Sequence, residues 1–97
     1  MKTLAAPGRE EVEKRQVRLL RLHHELKRLG VTVRVRKPHN GRWQLRVRRA
    51  GWTETVLCAG AEGDYAYVSV HGRLLGPVDD VRYVARLLVW MIERRER

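Results

Sequence analysis

A chain of 97 residues has room for one domain with a single two-layer core. Its 43% apolar content excludes a chain that stays disordered. Lys and Arg number 21 against 11 Asp and Glu, a formal charge of +10 that favours polyanionic partners, nucleic acid first and an anionic membrane surface second. A composition rich in Arg, Ala, Gly and Val also follows from GC-rich codons, so charge by itself does not establish a function. One cysteine, Cys58, leaves no partner for an intramolecular disulfide and agrees with a reducing compartment. The opening MKTLAAPGREE lacks the apolar stretch of a signal peptide. The longest apolar run, Leu87 to Ile92, falls far short of the ~20 residues of a membrane helix. The expectation is a cytoplasmic protein that does not enter a membrane.

Residues 1–6 read as a tail. Pro7 suits the first turn of a helix, where its missing N–H has no partner anyway. Glu10, Glu11 and Glu13 follow, where carboxylates meet the positive end of the helix dipole. Val12, Leu19, Leu22, Leu26 and Leu29 make one apolar stripe of a helix over residues 8–29. Gly30 is placed to close it in a left-handed conformation. Lys14, Arg18, Arg21 and Arg28 take the far, solvated side. Glu10–Lys14, Glu11–Arg15 and Arg21–Glu25 are spaced for i,i+4 pairs. His23 and His24 are adjacent, so they project about 100° apart on a helix and do not readily share a metal.

Residues 31–49, VTVRVRKPHNGRWQLRVRR, read as two antiparallel strands of period two. Val31, Val33 and Val35 share one parity; Thr32, Arg34 and Arg36 share the other. Beyond the turn, Trp43, Leu45 and Val47 alternate with Arg42, Gln44, Arg46 and Arg48. Asn40-Gly41 marks the turn itself. A three-residue loop from His39 to Gly41 pairs Val35 with Leu45 and Val33 with Val47, which keeps the apolar face continuous. The same register sets Arg34 opposite Arg46 and Arg36 opposite Gln44. Like charges facing each other are unfavourable, and an anion between them relieves the repulsion. Residues 31–58 hold seven basic side chains against Glu54, a net of +6, whereas residues 59–97 hold six of each sign.

Ala50-Gly51 turns the chain into a third strand, Trp52 to Cys58, whose inward parity the sequence leaves open. Gly60 to Asp64 reads as a loop and Tyr65 to His71 as a fourth strand. If Ala66, Val68 and Val70 face the core, then Tyr65, Tyr67, Ser69 and His71 join the exposed face. Gly72 turns again. Arg73-Leu74-Leu75 is a short fifth strand or an extended exit, and Gly76-Pro77 breaks the sheet. Asp79 is placed as the N-cap of a last helix, with Asp80 in its first turn. Val81, Val84, Ala85, Leu88 and Ile92 form that helix's main stripe, as far as about Arg94. Tyr83, Leu87 and Trp90 form a second stripe on the other side. A helix apolar on both sides needs two neighbours: the sheet, and either the first helix or a second copy of the chain.

The predicted fold is α+β: an antiparallel sheet of four or five strands with an N-terminal and a C-terminal helix packed on one face. The opposite face is open and basic, because covering the Arg rows without partners costs too much. The order helix, three or four strands, helix, together with Pro38-His39 in the first hairpin loop, resembles the double-stranded RNA-binding domain over residues 8–95. That resemblance implies topology alone. The family grips phosphates with a lysine cluster at the start of its last helix, where this chain has Pro77-Val78-Asp79-Asp80. The stretch GRLLGPVDDVRYVARLL resembles uncharacterised small proteins of actinobacteria and their phages or plasmids, a likeness that carries no activity.

No Gly-rich phosphate loop, His-Glu-x-x-His, Cys-x-x-Cys or Ser, His and acid set is present. The expectation is a non-enzyme without catalytic residues, metal or cofactor. Cys58 reads as a small buried hydrophobe, Trp43 as a core anchor and Trp52 as exposed. Binding is assigned to Arg34, Arg36, Arg42, Arg46 and Arg48, with Tyr65 and Tyr67 as platforms on which bases stack. The expected partner is nucleic acid, DNA or RNA, held by its phosphates with little sequence preference. The alternative is an acidic protein surface, which makes the chain a protein-interaction module such as a phage- or plasmid-encoded inhibitor or regulator of a host protein. Tyr83, Leu87 and Trp90 are assigned to a homodimer interface through the C-terminal helix, since the sheet takes the other stripe.

Overall fold

A computed structural model describes residues 9–37, 42–49, 51–61 and 64–95. Helix α1 (Arg9–Arg28) leads into β1 (Thr32–Arg36), β2 (Gln44–Arg49), β3 (Trp52–Ala61), β4 (Asp64–Ser69) and β5 (Leu74–Pro77). A 3-10 turn over Val78–Asp80 then enters α2 (Val81–Arg95). The five strands form one antiparallel sheet in chain order, each paired with the next. Both helices lie on the same face and touch each other. Leu19, Leu22 and Leu26 of α1 and Val84, Leu88 and Ile92 of α2 share one buried cluster with Val33, Leu45, Val47 and Val56 of the sheet. The α+β class is as predicted, and the fifth strand exists.

Gly30 closes α1 at φ 83°, its N–H donating to the Lys27 carbonyl at 3.0 Å. A β-carbon would strain that left-handed conformation. The predicted stripe is buried in its middle, while Val12 is half-buried and Leu29 exposed. Arg18 is not on the solvated side: its guanidinium carbon lies 4.4 Å from the centroid of the Tyr65 ring. Glu25 pairs with Arg28 at 3.5 Å, three residues on, rather than with Arg21. The Glu10 and Glu11 side chains lie outside the described residues.

The β1–β2 register is the expected one, with Val33 opposite Val47, Val35 opposite Leu45, Arg34 opposite Arg46 and Arg36 opposite Gln44. The predicted turn, Asn40-Gly41, and the predicted tail lie outside the described residues. β3 continues past Cys58 to Ala61, and Asp64 pairs with Ala61, so the ends of the predicted Gly60–Asp64 loop are strand.

Parity then runs across the sheet from strand to strand. Leu45 faces Val56, and Val56 faces Ser69. Cys58, Tyr65, Tyr67 and Ser69 therefore point to the helices, and Ala66 and Val68 point away. The expected face of β4 is reversed: Tyr65 is 4% and Tyr67 0% exposed. Two rings fill the space beneath the N-terminal half of α1, where the helix presents Arg15 and Arg18 instead of leucine. Alanine and valine at the same place would leave voids.

His71 falls in the exposed turn after β4, where the Arg73 N–H donates to the buried Ser69 Oγ at 3.1 Å. Gly76 and Pro77 do not break the sheet but belong to β5, opposite Tyr67 and Ala66. Proline is tolerated there because β5 is an edge strand. Glycine is required because a β-carbon at Gly76 would stand 2.8 Å from Val84 Cγ2 of α2. Asp79 is not an N-cap either. It lies with Asp80 inside the 3-10 turn, which follows Pro77 and has no side-chain cap. Along α2, Leu87 is half-buried against the core, while Tyr83 and Trp90 remain 55% and 51% exposed. No helix among the described residues is long and apolar enough to cross a membrane.

Candidate nucleic-acid interface

β1 and β2 place every second side chain on the face away from the helices. Thr32, Arg34, Arg36, Arg46 and Arg48 emerge there and line a shallow cleft of about 90 Å³. Arg34 stands opposite Arg46, and Thr32 opposite Arg48. On its other side β2 meets β3, with Thr55 beside Arg46 and Thr53 beside Arg48. Among the described residues, none of the four arginines has an ion pair or a hydrogen bond to its side chain. Cross-strand neighbours lie about 5 Å apart, so four like charges share one small surface. Planar guanidinium forks at that spacing suit phosphate oxygens, which they grip with two parallel bonds each.

Arg42 does not join this group. It is exposed and, with Arg15, Trp43 and Cys58, lines a second cavity of about 250 Å³ beside α1. Trp43 packs half-buried against the core, the Lys37 ammonium 5.6 Å from its ring centroid, and Trp52 is exposed as expected.

Tyr65 and Tyr67 are not stacking platforms. Both lie on the helix side of β4, Tyr65 under the Arg18 guanidinium and Tyr67 with its hydroxyl donating to the Arg18 carbonyl at 2.7 Å. The sequence misassigned them because the parity of β4 depends on that of β3, which only the pairing with β2 decides.

Burial pushes the Cys58 thiol up to about 11, although Arg18 and Arg15 pull the other way. A thiol protonated at neutral pH is a poor nucleophile. Burial, with Lys27 adding to it, lowers the imidazole of His23 below its usual range. No group of three or more His, Cys, Asp or Glu gathers among the described residues in a way that could hold a metal.

The same outer face has a second half that the sequence did not reveal. Leu57 faces Val68, Val68 faces Leu74, and Ala59 faces Ala66. Val70 extends this surface: its N–H donates to the Thr55 carbonyl at 2.9 Å and it is 50% exposed, while Leu74 is 67% exposed. The outer face is therefore basic on β1–β2 and largely apolar on β3–β5, with Thr53 and Thr55 next to β2 and the exposed Asp64 at the start of β4. No protein-family model, curated protein or solved structure matches the chain, so the use of this face rests on its own chemistry.

Proposed function

We propose that this chain is a small, non-catalytic binding protein that docks nucleic acid on the outer face of the β1–β2 hairpin. The observation that carries the reading is the cleft where Arg34, Arg36, Arg46 and Arg48 stand together with no ion pair among the described residues. Like charges on adjacent strands cost stability, and phosphates held between them reverse that cost. With Tyr65 and Tyr67 buried, the reading narrows to the backbone: phosphates are gripped, bases are not read, and sequence preference is slight. The protein acts in the cytoplasm on this reading. Two copies associate through Tyr83, Leu87 and Trp90 of α2 and present two clefts to one polymer. The exposure of Tyr83 and Trp90 supports that association.

Binding of this kind is salt-dependent. Four phosphates neutralised on duplex DNA give a slope of log K against log salt of about −3 to −4, and a somewhat shallower one on a single strand. Titration of labelled duplex and single-stranded oligonucleotides at several salt concentrations measures it. A flat plot overturns the proposal.

A further inference from the structure

The division of the outer face runs along its strands. Arginines stand on β1 and β2, while β3–β5 present Leu57, Ala59, Ala66, Val68, Val70 and Leu74, with Thr53 and Thr55 next to the arginines and one exposed carboxylate, Asp64, at the start of β4. Nucleic acid leaves that second half without a role. Phosphates do not cover aliphatic side chains, and the six offer no aromatic ring on which a base could stack.

We infer that the outer face is a groove for an amphipathic helix of a partner protein, one that carries an acidic row beside an apolar row. An arginine holds its charge several bonds further from the backbone than alanine or valine holds its methyls. β1 and β2 thus form a charged wall, and β3–β5 an apolar floor beside it. Three strands at about 4.8 Å spacing make a floor roughly 10 Å across. That is the width of one α-helix, about 10–12 Å with its side chains. Leu57, Val68 and Leu74 stand side by side across the floor, so a helix lying along the strands crosses that row and carries its apolar stripe over Val70, Val68 and Ala66. Its flank then meets Arg46 and Arg48, the wall's nearest charges, and complementarity makes that flank acidic.

The other occupants fit less well. Insertion into a lipid surface needs the apolar side chains to stand out furthest, and here the arginines do. A second copy brings its own charge of +10 to a wall that is already basic. The inference goes beyond the nucleic-acid reading and does not depend on it. Where both hold, helix and nucleic acid compete for Arg46 and Arg48.

The probe is a synthetic helical peptide of about 18 residues, roughly 27 Å long, with leucine in one stripe and glutamate in the next. A scrambled peptide of equal composition is the control. Titration into isotope-labelled protein is expected to shift amides on both β2 and β3–β5 saturably. The scrambled peptide should bind at least about tenfold more weakly. The variant Val68→Gln with Leu74→Gln should lose about tenfold in peptide affinity and, with no charge changed, keep its oligonucleotide affinity. Circular dichroism checks its fold. If it does not fold, Leu74→Gln alone, on the exposed edge, replaces it.

Shifts confined to β1–β2, equal binding of the scrambled peptide, or an unchanged affinity in the floor variant overturns the inference. So does capture by anionic vesicles through Val68 and Leu74 without peptide binding, or a dimer in sedimentation that closes over this face. Oligonucleotides titrated in parallel keep the two readings apart. Peptide binding without oligonucleotide binding sinks the phosphate reading and leaves this one standing, and the reverse result sinks this one.

Discussion

The hydroxyl of Tyr67 donates to the carbonyl oxygen of Arg18, 2.7 Å away and 49 positions earlier in the chain. One side chain thereby ties the sheet to α1 and satisfies its own buried polar group. Burial also holds the phenol above its usual range. Tyr67→Phe keeps the ring and removes the donor. It should lower stability by about 1 kcal/mol, read from denaturant unfolding. Oligonucleotide affinity should not change, because the ring lies on the helix side of the sheet. A variant of full stability that loses binding returns Tyr67 to the interface.

Arg34 and Arg46 oppose each other across β1–β2. Arg46→Glu turns a like-charge pair into an opposite-charge pair, so the chain should gain about 0.2–1 kcal/mol. The gain should shrink as salt screens it. Oligonucleotide affinity should fall, with the salt slope reduced by about 1. Stability and binding thus move in opposite directions at this position. A variant that loses both has lost its fold, and one that keeps full affinity removes Arg46 from the phosphate site.

Burial raises the Cys58 thiol from 9.0 to about 11. A raised value means that the folded chain holds this proton more tightly than the unfolded chain does. The resulting stability is complete below pH 9.0 and is lost as pH climbs through about 11. Wild type should therefore lose stability across that window more steeply than Cys58→Ala. Equal slopes for the two proteins rule out this assignment. Alkylation of the native thiol at neutral pH should likewise be slow and should speed up on unfolding.

Trp90 is half-exposed on α2, with the Arg94 guanidinium carbon 4.9 Å from its ring centroid. On the proposed self-association, sedimentation equilibrium at micromolar concentration should find wild type dimeric and Trp90→Ala monomeric, both with the same circular dichroism spectrum. A monomeric wild type, or a variant that dimerises equally well, removes α2 from any interface.

What the sequence determined was local. The alternation of Val33 and Val35 with Arg34 and Arg36, and of Leu45 and Val47 with Arg46 and Arg48, decided the β1–β2 register. The number of residues between the two runs left one pairing that kept the apolar face continuous. The helical stripes were legible for the same reason, since a period of 3.6 is a property of consecutive residues. The arginine cleft followed from that register alone. The rest was decided by contacts between segments distant in the chain. Both parities of β4 mix apolar and polar groups, and the choice fell to Leu45 facing Val56 and Val56 facing Ser69. Tyr67 reads as an exposed residue until the Arg18 carbonyl is there to accept its hydrogen bond. Gly76-Pro77 reads as a break until β5 is seen to be an edge passing beneath Val84. The apolar half of the outer face, gathered from three strands as Leu57, Val68 and Leu74, exists only once those strands pair. Side-chain periodicity specifies which residues share a face of one element, but the burial of that face depends on which neighbours the tertiary structure brings against it.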